Sequence, residues 1–141
     1  MKKFIILCAF ICSISTISVA QTNNNSAKQQ YLLIFRFKSN FVPPSQEAVQ
    51  KNIKHWQDYM GDLAQTGKLV SGFRPSDQGK TITGMHKTIH EGVYVSNNEL
   101  VSSFIIINAT SMDEAGEIAG KCPIFEFDGS VEIRPIADKA N

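Results

Sequence analysis

One helix with a single apolar face, flanked on both sides by apolar strands, constrains this fold more than any other feature of the chain. Within residues 45–66, apolar side chains recur at spacings of four, three, four and three, which is the period of a helix packed on one face. The members of this stripe are Val49, Ile53, Trp56, Met60 and Leu63. Ser45 is suited to cap the first turn, and Gly67 to end the helix. We therefore predict a helix that buries the stripe, including Trp56, against a sheet.

Short runs rich in β-branched and aromatic residues predict the strands of that sheet. Residues 31–37 and 102–108 are apolar without clean alternation, as is typical of central strands that are buried on both faces. Further strands are expected at residues 68–73, 80–83, 88–95 and 131–136. The second and third of these flank Gly84 and therefore predict a hairpin.

A second helix is predicted after the strand at residues 102–108. Ser111 and Glu114 form a capping box, in which Ser111 accepts from the third backbone N–H and Glu114 reaches back to the helix start. Pro123 ends this helix. The inward-facing residues are expected to be Met112, Ala115, Ile118, Ala119 and Cys122.

The predicted order is strand, helix, strand, hairpin insertion, strand, helix, strand. Two strand–helix–strand units with one layer of helices predict an α+β ferredoxin-like sandwich. Because residues 31–37 and 102–108 have no polar face, apolar side chains would also lie on the side of the sheet away from the helices. Such a face implies a partner, and we predict a homodimer whose two sheets pack face to face.

The first 20 residues have the pattern of a secretory signal peptide. Met1-Lys2-Lys3 is basic, residues 4–17 are almost wholly apolar or small, and Ser18-Val19-Ala20 has the small-residue pattern of a cleavage site. The apolar run is too short for a membrane anchor. We expect cleavage after Ala20, a flexible leader at residues 21–30 and a folded domain at residues 31–138. The mature protein would be periplasmic or secreted, without membrane attachment.

Cleavage changes the charge and cysteine counts that bound the class of protein. Without Lys2 and Lys3, the 14 basic residues fall to 12 against 13 acidic ones, which argues against an electrostatic nucleic-acid binder. Without Cys8 and Cys12, Cys122 is the remaining thiol, which excludes an intramolecular disulfide scaffold. Cys122 follows a helix on its inward face, and we predict a buried, inert thiol.

Three segments of the mature chain carry a family resemblance. They are CPIFEFDGSVEIRPI at residues 122–136, the helix end from His55 to Gly67-Lys68-Leu69-Val70, and Asn98-Glu99-Leu100 followed by an apolar strand and Ser-Met-Asp-Glu-Ala at 111–115. Over residues 31–136 the chain resembles the YCII-related family, in the branch named after an Asp-Gly-Pro-Phe motif. The resemblance implies a dimeric ferredoxin-like α+β barrel.

The chain departs from the family pattern in two places. Glu91-Gly92-Val93-Tyr94 stands where the branch has Asp-Gly-Pro-Phe, and Gly72-Phe73-Arg74-Pro75 stands where the wider family often has Gly-Pro. Enzyme proposals for the family centre on a His and an Asp that face a cleft. The resemblance implies that His55 is this His, with Asp77, in the loop after the second strand, as the nearest candidate for the Asp.

Several side chains are candidates for contact with a ligand. Arg74, near Asp77, and Arg36, in the first strand, could hold a carboxylate or phosphate, or could instead pair with acidic residues such as Glu132 and Glu126. Tyr94 and His90 are candidates for the wall of the same cleft. His55 lies on the flank of its helix, where an imidazole could transfer protons or could simply be solvated.

Signatures of metals and cofactors are few in this sequence. His86 and His90 are four residues apart in the predicted hairpin, where an extended chain separates them by about 13 Å at roughly 3.3 Å per residue. That spacing argues against a metal site, and no phosphate loop, serine-nucleophile elbow or Cys-x-x-Cys motif occurs. We predict a cofactor-free lyase or isomerase acting on a small molecule through His55 and Asp77. The alternative is a noncatalytic module that binds a ligand or a protein.

Overall fold

The structure, a computed structural model, describes residues 29–137; the predicted signal peptide and residues 21–28 of the predicted leader lie outside this range. In chain order the elements are β1 (Gln29–Lys38), α1 (Gln46–Gln65), β2 (Leu69–Phe73), β3 (Lys80–Thr83), β4 (Thr88–Glu91), β5 (Val95–Ser96), β6 (Glu99–Ala109), α2 (Met112–Ala119), a 3-10 turn (Pro123–Phe127) and β7 (Ser130–Pro135).

Five strands form one antiparallel sheet, in which β2, β6, β1 and β7 are neighbours in that order and β5 pairs with β6. This arrangement confirms the predicted ferredoxin-like α+β fold. The hairpin insertion is also present, since β3 and β4 form a separate two-stranded sheet. The strand predicted at residues 88–95 is divided, because β4 ends before Gly92, whose φ is 100°, and β5 pairs with β6. The sheet begins at Gln29 rather than Tyr31, since Gln29 and Gln30 pair with β6.

Both helices pack on one face of the sheet. Leu33, Phe35 and Ile107 are fully buried on that face, together with Ile124 from the 3-10 turn. Four of the residues predicted to face inward around α2 are buried: Ala115, Ile118, Ala119 and Cys122. The prediction for Met112 is wrong, since its side chain is 45% exposed. Met112 occupies the first position of α2, and the buried face of the helix begins one turn later.

The apolar stripe of α1 does not lie in the core as predicted. Leu63 is buried, but the other four members are half-buried or exposed: Val49, Ile53, Trp56 and Met60. The buried positions of α1 are Asn52, Tyr59 and Leu63. Asn52 and Tyr59 can occupy them because their polar groups donate to backbone carbonyls, in the case of Tyr59 to Ile118 O at 3.1 Å. Most of the stripe therefore lies beside the core.

The predicted helix caps are present. Ser45 Oγ accepts a hydrogen bond from the Ala48 N–H at 3.1 Å, and Gly67 follows α1 with a φ of 64°. Ser111 Oγ accepts from the Glu114 N–H at 3.1 Å. The Glu114 carboxylate reaches the N–H of Thr110 at 2.7 Å, one residue before the expected partner, and also binds Lys68.

The sheet face opposite the helices carries both apolar and charged side chains. Side chains alternate along a strand, so the neighbours of Leu33 and Phe35 point to this opposite face. Its half-buried and buried apolar residues are Leu32, Ile34, Phe104 and Ile106.

Between residues 29 and 137, neither helix combines the length and the hydropathy that crossing a membrane requires.

Candidate functional site

A cavity of about 530 Å³ lies between α1, the sheet and the segment after β1. Four residues of the α1 stripe line it, which explains why they are not in the core. We call it the apolar cavity, because apolar residues form most of its wall: Phe37, Phe41, Pro43, Val49, Ile53, Trp56, Met60, Phe73, Ile105, Ile124 and Phe127. This composition is typical of a site for a small molecule.

Contacts between aromatic rings hold part of this wall in place. The rings of Phe37 and Phe41 are stacked with centroids 5.2 Å apart, and the centroid of the Phe127 ring lies 5.2 Å from that of Phe41. Trp56 packs edge-on against the buried Phe35 at 5.3 Å. Such ring pairs favour a fixed geometry, so these side chains form a wall that is ordered before any ligand binds.

Five polar residues complete the lining of the apolar cavity: Asn52, Gln57, Arg74, Ser102 and Ser103. Of these, the Ser102 hydroxyl already donates to Phe35 O at 3.2 Å, where β1 and β6 shift register. Arg74, just after β2, is the one charged side chain among the lining residues of this part of the chain. An anionic group in the cavity would therefore meet a guanidinium and no carboxylate.

A second depression, of about 460 Å³, lies along the other side of α1, towards α2. We call it the His55–Glu126 groove, because His55 Nδ1 lies 2.6 Å from Glu126 Oε1 in its wall. The other carboxylate oxygen, Oε2, accepts from Asn52 Nδ2 at 2.9 Å. The hydrogen bond from Asn52, followed by that from His55, holds the pKa of Glu126 below its usual range, although desolvation opposes this.

The carboxylate of Glu126 determines which nitrogen of the His55 ring acts as a donor. A carboxylate can only accept, so Nδ1 must carry the proton in the 2.6 Å contact. The acceptor of the neutral ring is then Nε2, which could take a proton from a bound molecule. Both side chains remain more than a third exposed, at 37% and 39%, so water reaches the pair.

The structure does not bring His55 and Asp77 together. Asp77 is exposed in the loop between β2 and β3, its hydrogen-bond partner is the neighbouring Ser76 at 3.4 Å, and it lines neither the cavity nor the groove. The carboxylate beside His55 belongs to Glu126. The 3-10 turn packs against α1, whereas the loop that carries Asp77 leads away to the β3–β4 hairpin.

The predicted ligand contacts are dispersed. Arg74 lines the apolar cavity, but Arg36 donates to Glu132 at 2.6 Å in an ion pair between β1 and β7. Tyr94 is 66% exposed, and the His90 ring lies 3.1 Å from the Thr83 hydroxyl across the β3–β4 hairpin. Arg36, Tyr94 and His90 line neither depression. Within residues 29–137, no three His, Cys, Asp or Glu side chains are grouped so that they could hold a metal ion.

Asn52 and Glu126 connect the two depressions, and neither was predicted as a site residue. Asn52 lines the apolar cavity, and its amide nitrogen contacts the carboxylate of the groove. A signal for Asn52 was present: together with Trp56, Tyr59 and Leu63 it forms a second series at helical spacing. Glu126 had no such signal, because its partners are 71 and 74 residues away.

Comparisons with known proteins support assignment to a family. A search of curated proteins gave no significant match. Among solved structures, the chain is similar to a 5-chloro-2-hydroxyhydroquinone dehydrochlorinase from Burkholderia phenoliruptrix AC1100 in complex with 2,5-dihydroxybenzoquinone. The identity is 18%, the TM-score 0.41, and the match covers 74% of this chain and 90% of that chain. Residues 30–139 match the family model of the YCII-related domain, and the chain therefore belongs to the YCII-related family.

Proposed function

We propose that this domain binds a small, largely apolar molecule with one anionic group in the apolar cavity. The observation that carries the proposal is a cavity of about 530 Å³ with aromatic walls and Arg74 as the charged member of its lining. Burial of a benzene-sized ring contributes about 1.5–3 kcal/mol, by analogy with a buried apolar side chain. A carboxylate on that ring would add charge-assisted hydrogen bonds from the guanidinium.

Calorimetric titration of the mature chain, residues 21–141, with benzoate tests this proposal. We expect Arg74→Gln to weaken benzoate binding roughly tenfold, since a hydrogen bond to a charged group contributes about 1.5–3 kcal/mol and solvent reduces that value here. Arg134→Gln, which changes the same residue type outside the cavity, should leave the affinity unchanged. Equal affinities for all three proteins, or no binding to any, would refute the proposal.

A second candidate function is a cofactor-free lyase or isomerase reaction, which the 2.6 Å contact between His55 and Glu126 favours. In this proposal Glu126 takes the role that the sequence analysis assigned to Asp77. The carboxylate orients the ring and stabilises the imidazolium that forms when Nε2 removes a proton from a carbon next to a carbonyl group. The electron pair of the broken C–H bond passes into the enolate of the substrate, and the imidazolium then returns the proton to carbon. The noncatalytic alternative requires only the apolar cavity.

Uptake of deuterium from D₂O into a panel of cyclic keto acids, followed by NMR, separates these two candidates. For an enzyme, His55→Gln and Glu126→Gln should abolish wild-type exchange, whereas Asp77→Asn should keep it. Exchange that survives in His55→Gln would exclude the proton-transfer role, and a lack of wild-type exchange across the panel would favour the binding module.

We also propose that the chain forms a homodimer through the sheet face opposite the helices. Leu32, Ile34, Phe104 and Ile106 supply apolar surface there, and a face-to-face pair of sheets would remove it from water. Light scattering should give twice the mass of the mature chain at micromolar concentration, and Phe104→Glu should reduce the measured mass to that of one chain. A wild-type mass of one chain would contradict the dimer.

Export remains a proposal that rests on the sequence of residues 1–20. We expect the full chain, expressed in a double-membrane bacterium, to appear in the periplasm with Gln21 as its first residue. Amino-terminal sequencing of the protein from each compartment checks this. An unprocessed product in the cytoplasm, starting at Met1, would contradict it.

A further inference from the structure

Asn52 is the one polar residue in the buried core of the part of the chain that the structure describes. Its Nδ2 lies 2.9 Å from Pro123 O and 2.9 Å from Glu126 Oε2. A carbonyl and a carboxylate can only accept hydrogen bonds, so the group facing them must be the amide NH₂. The oxygen and the nitrogen of a side-chain amide are similar in size, so these hydrogen-bond partners, and not the shape of the group, determine where the carbonyl oxygen lies.

The carbonyl oxygen, Oδ1, is therefore turned away from the 3-10 turn. None of the side-chain hydrogen bonds among residues 29–137 supplies a donor to it. Every fully buried side-chain nitrogen or oxygen in the same range has a hydrogen-bond partner. Because Oδ1 has none, it must keep some solvent-accessible surface. Of the two depressions, Asn52 lines the apolar cavity and not the His55–Glu126 groove, so the cavity is the side from which a bound molecule would approach Oδ1.

We infer that Asn52 is a specificity-determining residue of the apolar cavity, where its Oδ1 accepts a hydrogen bond from a hydroxyl or amino group on a ring-shaped ligand. This inference rests on the proposed binding function. A ligand without a donor would cover Oδ1 and leave it without a partner, whereas a ligand hydroxyl would satisfy it. Sites that hydrogen-bond a ligand hydroxyl reject analogues lacking it much more strongly than apolar sites reject an added hydroxyl.

The geometry also connects the ligand to the groove. One Asn52 amide would accept from the ligand on the cavity side and donate to Glu126 on the other, and Glu126 in turn contacts His55. Hydrogen bonds in such a chain polarise one another, so occupancy of the cavity should be detectable at the amide itself. The ¹³Cγ chemical shift of Asn52 reports directly on a new hydrogen bond to its oxygen.

Phenol and toluene are matched probes for this inference, because they differ by a hydroxyl in place of a methyl group. In an apolar cavity without an acceptor, phenol binds more weakly than toluene since its O–H loses water without replacement. We expect the wild-type mature chain to bind phenol at least as tightly as toluene. Asn52→Leu should weaken phenol binding roughly tenfold and leave toluene within about twofold, a loss typical of one buried hydrogen bond.

Asn108→Leu is the matched control, because Asn108 is a half-buried asparagine that lines neither the apolar cavity nor the His55–Glu126 groove. It should retain the wild-type preference. Toluene binding with phenol at least tenfold weaker in the wild type would overturn the role of Asn52 while the cavity remains a binding site. Equal loss of the preference in Asn108→Leu and in Asn52→Leu would also overturn it.

Two further outcomes complete the test. If neither probe binds the wild type although benzoate does, this inference fails and the proposed binding function stands; if benzoate does not bind either, both fail. If Asn52→Leu does not fold, NMR of the wild type decides: phenol should shift the Asn52 ¹³Cγ signal and toluene should not. Equal shifts with both probes would overturn the inference.

Discussion

Gly129 lies between the 3-10 turn and β7, and we expect one added methyl group at this position to destabilise the fold. A Cβ at this position would lie 2.5 Å from Ile124 Cγ1 and 2.8 Å from the backbone oxygen of Arg36. Ile124 is 1% exposed and packs in the core, and the Arg36 oxygen belongs to a central strand. Contacts of a real Cβ with such atoms are seldom below 3.4 Å. Gly129→Ala must therefore separate the turn from β1 by about half an ångström, as overpacking does.

Overpacking of this kind costs about 1–3 kcal/mol. At roughly 4 °C for each kcal/mol in a domain of this size, Gly129→Ala should lower Tm by about 4–12 °C. Because Ile124 also lines the apolar cavity, the variant should bind benzoate more weakly as well. Thermal unfolding followed by circular dichroism measures the first effect, and calorimetry measures the second.

Gly116→Ala is the matched control, since a Cβ at this position in α2 meets nothing within 4 Å. Replacement of a helical glycine by alanine stabilises by about 0.5–1 kcal/mol, so this variant should melt about 2–4 °C higher than the wild type. If Gly129→Ala melts within about 1 °C of the wild type, the packing of the turn against β1 is wrong.

Three further predictions concern single side chains. Hydrogen bonds from Lys68 and Thr110 lower the pKa of Glu114 to about 2. Because the pKa of Glu114 is lower in the folded chain than its unfolded value near 4.5, the ionised carboxylate adds stability above pH 4.5, and this stability is lost as the pH falls towards 2. The urea midpoint of the wild type should therefore fall over this pH range, and that of Glu114→Gln should fall less. Burial raises the pKa of Cys122 to about 11, so a thiol reagent at pH 8 should label the native mature chain far more slowly than the unfolded chain, and immediate labelling would contradict this. Tyr59→Phe removes the hydrogen bond to Ile118 O and should cost about 0.5–1.5 kcal/mol in urea unfolding; an unchanged midpoint would contradict it.

Local signals in the sequence predict the elements well. Ser45 and Gly67 mark the ends of α1 because capping and left-handed backbone depend on residues within one turn. The strand at residues 80–83 is confirmed without a change of bounds. The order of elements then restricts the topology, since two strand–helix–strand units with one helical layer have few ways to form a sheet.

The same signals do not distinguish a core from a cavity. The stripe from Val49 to Leu63 has the helical period that burial produces, but a cavity wall requires the same apolar side chains at the same spacing. Asn52 is polar and yet buried, because the 3-10 turn supplies its acceptors. Periodicity identifies an apolar face, and only the fold determines what that face contacts.

The partner of His55 depended on long-range geometry. Asp77 lies 22 positions after His55 in the sequence and Glu126 lies 71 positions after it, and it is the more distant residue that the fold brings to 2.6 Å. Nothing local to Glu126 marks it as a contact of α1. The resemblance to a family with a His and an acid in a cleft indicated the type of pair, but the packing of the 3-10 turn on α1 determines which acid takes part.

The most direct test of the binding site is a crystal structure of the mature chain in the presence of benzoate. We expect the ring inside the apolar cavity, against the aromatic wall that includes Trp56, with its carboxylate at the Arg74 guanidinium. Benzoate bound in the His55–Glu126 groove or on the sheet face, with the apolar cavity empty at saturating concentration, would contradict it.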